Sequence, residues 1–233
     1  VGPTRRGKPS GERQGFLDFI NGLRYLQGRP FILVISLVKA GGSLTWGAIN
    51  VLELPLAERF FSLGEKGAIT LSIFYTLTGI GSGLGPLLVR RWLGDGQRAA
   101  LWAVTLGFAL LTAGAYWLAV ATTLPTAAAA TLVRTLGGGT LWVFSAALLQ
   151  ILVDDQFRGR VFAFEFAIFT LTQSIATLWA GMAQDNLRLG VREVLFYTSI
   201  GTLVVTVAWV SFHLLQLYFG NRNNKQKPVD NYP

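Results

Sequence analysis

The chain contains no cysteine, and only one histidine and one methionine among its 233 residues. Without cysteine there is no disulfide, no thiol nucleophile and no thiolate metal ligand. A lone histidine with no clustered carboxylates beside it argues against a side-chain metal site, and no cofactor is expected. Charge is scarce as well: Asp, Glu, Lys and Arg make up 14% of the chain, where a soluble domain carries about 25%. Hydrophobic residues make up 52% and the mean hydropathy is +0.47. Lipid is the solvent that suits such a composition. The first residue is Val1, and no basic, apolar and cleavage-site signal opens the chain, so the expectation is a chain that starts inside a longer gene product.

What is present is long runs free of charge, at 67–89, 99–133, 135–153, 166–184 and 194–221, with a sixth at 30–51 broken only by Lys39. A crossing helix needs about 20 apolar residues. The run 99–133 is too long for one crossing, and Leu124-Pro125 divides it into two. The expectation is an all-α integral membrane protein with six transmembrane helices over 30–218. Residues 1–29 read as a cytoplasmic linker with an amphipathic surface helix over 16–26, and residues 219–233 as a disordered cytoplasmic tail.

The formal net charge of +8 invites nucleic acid as a partner, but its placement points to a bilayer. On a six-span reading, the segments on the side of the N-terminus hold Arg5, Arg6, Lys8, Arg13, Arg24, Arg29, Arg90, Arg91, Arg98, Arg158, Arg160, Arg222, Lys225 and Lys227. The opposite side holds only Arg59, Lys66, Arg188 and Arg192. By the positive-inside rule both ends lie in the cytoplasm, and no nucleic acid is expected.

Polar residues inside the spans are the candidates for function. In the first span Lys39, Ser43, Trp46 and Asn50 all point within about 40° of Lys39, a polar stripe that suits protein or a water-filled cavity. Residues 53–66, with Pro55 and three acids, read as the longest outer loop. In the second span Gly79/Gly83 and Gly81/Gly85 are small-xxx-small pairs suited to close helix packing. The third span is apolar apart from Thr105, Thr112 and Tyr116, and reads as lipid-facing or packing-only.

The fourth span carries Arg134 about 13 Å from the outer edge at 1.5 Å per residue, and Gly137, Gly138 and Gly139 follow it. Two readings of the glycines stand: unwound backbone that meets a ligand or ion, or room for a bulky ring such as Trp142. Glu165, seven residues past Arg158, either pairs with an arginine or carries a proton. Two mid-depth cations, Lys39 and Arg134, lining one cavity would favour anionic groups, or the carboxylate of Glu165 and those of a missing half. Across the turns on the basic side, Asp154 and Asp155 can pair with loop arginines, and such pairs can bias two access states. His213 reads as an interface residue near the end of the last span.

Several stretches resemble the major facilitator superfamily. Leu148-Leu149-Gln150 through Asp154-Asp155, with Arg158-Gly159-Arg160-Val161-Phe162-Ala163, is similar to the loop between helices ten and eleven of those transporters. Gly22-Leu23-Arg24-Tyr25-Leu26 with Arg29-Pro30 resembles the entry to helix seven. Gly83-Leu84-Gly85-Pro86-Leu87-Leu88 with Arg90-Arg91 resembles the exit of helix eight. The nearest branch is the bacterial efflux group that contains enterobactin and macrolide exporters.

The resemblance implies the C-terminal six-helix half of a twelve-helix antiporter in the bacterial inner membrane. Its partners would be an N-terminal six-helix half, a small-molecule substrate, protons and the bilayer. The superfamily's loop motif is Gly-x-x-x-Asp-x-x-Gly-Arg-[Lys/Arg]. Here Arg90 and Arg91 stand where its acid belongs, Asp95 comes later and out of register, and Arg98 closes the loop. The implied gating residues on the cytoplasmic side are Arg90, Arg91, Asp95, Arg98, Asp154, Asp155, Arg158 and Arg160.

Two other functions compete with transport. Intramembrane proteolysis needs Gly-x-Ser-Gly with an intramembrane histidine, or paired mid-helix aspartates. Ile80 stands in place of the first glycine before Ser82-Gly83, His213 is at the membrane edge, and no pair of mid-membrane acids exists. No enzyme is therefore expected. A non-transporting membrane receptor or assembly partner with a transporter fold is the alternative to proton-coupled efflux.

Overall fold

The computed structural model describes residues 22 and 24–225, with side chains to residue 219. Six long helices account for nearly all of it: α1 (Pro30–Arg59), α2 (Ala68–Leu93), α3 (Gln97–Val120), α4 (Leu124–Leu152), α5 (Asp155–Asp185) and α6 (Val191–Lys225). All six are long and apolar enough to cross a membrane, as expected of a multi-pass helical membrane protein. The linker 1–21, including most of the amphipathic segment 16–26, lies outside the described residues. At its described end Leu26 is fully buried in the bundle.

The turns between helices are made by residues with few alternatives. Pro30 opens α1 at a position where its missing N–H costs nothing. Between α3 and α4, the Thr123 side chain accepts from the Thr126 N–H while the Thr126 hydroxyl accepts from the Thr123 N–H, a capping box that fixes the start of α4. Gly67 precedes α2 at φ +72°, and a Cβ there would fall 2.7 Å from the Ala57 carbonyl. Both the dihedral and the contact demand glycine.

Two ends differ from the sequence reading. α1 runs through Pro55 to Arg59, so Glu53 is inside a helix and buried, not in an outer loop. Its partner Arg134, described below, holds it there. At the other end, α6 continues helically to Lys225 past the expected stop at 218.

Packing sorts into two apolar clusters. One, at the end of the bundle that carries the α1 C-terminus, includes Ile49, Leu52, Leu56, Phe74, Leu118 and Leu195. The other, at the end that carries the α2–α3 and α4–α5 turns, includes Leu26, Ile35, Phe108, Leu148, Leu149 and Trp209. Arg90, Arg91, Arg98, Arg158 and Arg160 make this second end the basic end of the bundle.

The close approaches rest on glycine. A Cβ on Gly85 would lie 2.2 Å from the Leu136 carbonyl oxygen, one on Gly81 would lie 2.1 Å from the Thr135 hydroxyl, and one on Gly47 would lie 2.3 Å from the Gln173 carbonyl oxygen. Of the two small-xxx-small pairs in α2, therefore, Gly81/Gly85 seats α4. Gly79 and Gly83 meet nothing within 4 Å.

Between α3 and α6 runs a seam of hydroxyls and rings. Thr112 and Thr206 share a hydrogen bond of 2.7 Å, and Thr105 bonds to His213 Nδ1 at 2.8 Å while accepting from Trp209 Nε1 at 2.9 Å. Thr105 and Thr112 of α3 thus pack against α6, while Tyr116 is exposed beside the Phe196 ring. His213 is buried in this seam, with Trp102 edge-on to it.

Candidate functional site

Between the two apolar clusters, α1 turns polar. Val38 belongs to one cluster and Ala48 to the other, and the interval holds Lys39, Ser43 and Trp46. Against this interval lies a cavity of about 460 Å³. Lys39, Gly42, Ser43 and Trp46 line it from α1, Ser82 from α2 and Leu111 from α3. Gly138, Gly139, Leu141, Trp142 and Val143 line it from α4, Phe169 and Gln173 from α5. Its walls are mostly ring and aliphatic carbon with a few polar groups, the usual make-up of a small-molecule site.

The one charge in that lining is Lys39. Its ammonium donates to Glu165 Oε2 at 3.1 Å and stands 4.5 Å from the centre of the Trp142 ring and 5.9 Å from that of Phe162. Trp142 in turn takes Phe169 edge-on at 5.0 Å. Glu165 is buried behind the lysine, outside the lining, and its Oε1 has no hydrogen-bond partner among the described residues. Glu165 therefore pairs across α1 and α5 with Lys39, not with Arg158. Arg158 goes instead to Asp155 at 2.6 Å and to the Gln150 carbonyl.

Arg134 is not in the cavity. It is 1% exposed and donates to Glu53 Oε1 at 2.8 Å, so α4 and α1 are tied by a second buried ion pair. Lys39 and Glu53 are 14 residues apart, about 21 Å along α1. The two cations consequently serve separate pairs and do not share a site.

The three glycines all admit close neighbours, and Gly138 and Gly139 also line the cavity. α4 is helical throughout from Leu124 to Leu152, so there is no unwound backbone. Each glycine admits a different neighbour. Gly137 faces α3, where a Cβ would fall 2.5 Å from the Gly107 carbonyl oxygen. Gly138 faces the Trp46 ring at 3.0 Å, and Gly139 faces α2, 2.3 Å from the Ser82 carbonyl oxygen. The ring accommodated is Trp46, and Trp142 lies on the cavity wall. Of the sequence-derived set, then, Lys39, Ser43, Trp46, Gly138, Gly139 and Trp142 come together with Glu165 behind them. Gly137 packs on α3, and Asn50 is exposed beyond the lining.

Composition hid the rest of the wall. Leu111, Leu141, Val143 and Phe169 carry no signal that separates a cavity from lipid. Gln173 was legible as the polar break in 166–184, one helical turn pair (i+8) beyond Glu165.

At the basic end, Asp154 accepts from Arg29 Nη1 at 2.9 Å, Arg29 also bonds to the Tyr25 hydroxyl, and Tyr25 stacks on Phe157 with centroids 4.3 Å apart. Arg90 holds Asp95 through Nε at 2.8 Å and Nη2 at 3.2 Å. Arg91 and Arg98 are exposed, and the Arg160 guanidinium lies 5.7 Å from the Phe157 ring. Because Arg29 and Asp154 are 45% and 52% exposed, Asp154→Asn is expected to change stability by less than about 1 kcal/mol. Chemical unfolding of the variant checks this.

Compared with known proteins, the chain matches no family model and no curated protein.

Proposed function

We propose that the chain is a six-helix half of a secondary active transporter of the major facilitator type. It would move a small organic molecule across the bacterial inner membrane by alternating access, with protons as the coupling ion. The observation that carries this reading is a roomy cavity lined by five of the six membrane-length helices, with Lys39 on its wall paired to the buried Glu165 behind it. Ionisable groups at such depth are costly unless they serve a pathway or are fully paired, and one Glu165 oxygen has no hydrogen-bond partner among the described residues.

The exposed faces support a partner half. Only 22% of the α2 window and 17% of the α5 window are buried, and both helices contribute to the cavity. A second six-helix unit seated on α2 and α5 would close the cavity on its open side. Gly79 and Gly83, which meet nothing within 4 Å among the described residues, would admit its helices. In this arrangement the basic end is cytoplasmic, and the Arg29–Asp154 pair and the Arg158 bond to the Gln150 carbonyl bridge elements that rock when the access state changes.

The test is substrate-dependent proton movement in sealed vesicles that carry the complete protein. A pH-sensitive dye inside the vesicles should report flux when substrate is added, and Glu165→Gln should abolish it while leaving the protein in the membrane. Vesicles that show no flux with any substrate would favour a receptor or assembly role.

A further inference from the structure

The ligand-facing charge in the cavity is a single ammonium, and its bonding is incomplete. A protonated lysine has three N–H donors. Among the described residues only Glu165 Oε2 accepts from Lys39 through an oxygen, and the nearby rings of Trp142 and Phe162 offer π faces. Lys39 is 92% buried yet borders about 460 Å³ of open space. Its counter-ion lies behind it: Glu165 is outside the lining and 2% exposed.

These facts rank the three classes of occupant. A cation entering the cavity would meet Lys39 first and find no carboxylate within reach. A neutral aromatic molecule would stack against Trp46, Trp142 and Phe169 but leave the ammonium donors without an acceptor. An anion with an apolar body satisfies both, through a charge-assisted hydrogen bond to Lys39 and ring contact along the walls. Gln173 and Ser82 add hydrogen-bonding groups on the same walls, and the Ser82 hydroxyl has no partner among the described residues.

We propose that this cavity binds an amphipathic organic anion, its carboxylate or sulfonate on Lys39 and its aromatic or aliphatic body against Trp46, Trp142 and Phe169. The proposal rests on the transport reading in taking the cavity as the place where the cargo sits. The arriving anion competes with Glu165 for the same ammonium. Loss of the Glu165 charge therefore strengthens anion binding, while loss of the Lys39 charge abolishes the preference for an anion. A lysine that only holds two helices together would do neither.

The experiment is calorimetric titration of the detergent-solubilised protein with 2-naphthoate, 2-naphthalenemethanol and 2-naphthylmethylammonium, three probes of one shape and three charges. Naphthoate is expected to bind about ten-fold more tightly than the alcohol, the scale of one charge-assisted hydrogen bond. The ammonium is expected to bind most weakly. Glu165→Gln should tighten naphthoate several-fold and leave the alcohol unchanged. Lys39→Gln should remove the preference for naphthoate over the alcohol. The double variant Lys39→Gln/Glu165→Gln leaves no unpaired buried charge, so it guards against misfolding and should show the same loss of preference.

Equal binding of the three probes, a preference for the ammonium, no binding of any probe, or a naphthoate preference that survives in the double variant would overturn the proposal. Vesicle uptake of the same probes separates the two readings. A protein that prefers naphthoate but transports none of them keeps the ligand class and loses the transport function. A protein that transports them without regard to charge does the reverse.

Discussion

Arg134→Ala is expected to lower the stability of the bundle by about 3–5 kcal/mol, because it leaves the Glu53 carboxylate buried without its counter-ion. Both members of that pair are nearly inaccessible, with side-chain exposures of 1% and 3%, so water cannot stand in for the missing guanidinium. Glu53→Gln should cost a comparable amount by stranding Arg134. The double variant Arg134→Met/Glu53→Met should recover most of the loss, since exchanging a buried pair for apolar side chains of similar volume is often neutral. Unfolding in detergent, followed by circular dichroism, measures all three. A single variant as stable as the parent, or a double variant no better than the singles, would contradict the assignment. Arg134, expected from the sequence to share a cavity with Lys39, lies outside it. A residue outside the cavity that ties α1 to α4 acts through the fold first.

Gly85→Ala and Gly139→Ala are the second pair of strongly damaging changes. A methyl at Gly85 would lie 2.2 Å from the Leu136 carbonyl oxygen, and one at Gly139 would lie 2.3 Å from the Ser82 carbonyl oxygen. Both obstacles are backbone, which yields only if α2 moves away from α4. Overpacking of this kind costs about 1–3 kcal/mol, against a gain in helix propensity from Gly to Ala of up to about 1 kcal/mol. Gly83→Ala, two residues from Gly85 on the open side of α2, has only the propensity term and should be neutral or slightly stabilising within this bundle. The contrast between Gly83 and Gly85 in the same unfolding assay is decisive. Equal effects at the two positions would mean that α2 and α4 are not in backbone contact.

How much of this was legible in the sequence depends on what each residue had to say alone. The six apolar runs, the division at Leu124-Pro125 and the polar interval of α1 follow from composition and helical spacing, and the helices lie where those signals put them. Glu53 did not follow, because Pro55 and neighbouring acids look like a loop until a buried arginine is known to face them. A depth argument could have found both ion pairs. Lys39 lies nine residues into α1 and Glu165 ten residues into α5 from the same end of the bundle, so their depths match within about 2 Å. Arg134 lies ten residues into α4 and Glu53 six residues from the end of α1 at the opposite end. The glycines misled for a related reason: three in a row lower helix propensity, but neighbours on α1, α2 and α3 each occupy the space that one of them leaves.

The measurement closest to the centre of this reading uses the chain's lack of cysteine. A single Ser43→Cys substitution places one thiol on the cavity wall with no other thiol in this chain, and Thr202→Cys, at a fully buried residue outside that wall, provides the control. In sealed vesicles of defined orientation, a membrane-impermeant thiosulfonate should modify Cys at position 43 from either side, in proportions that shift when ligand is added, and should leave the control untouched. Reaction from one side only, unchanged by any ligand, or no reaction at all, would show that the cavity does not alternate between the two faces of the membrane.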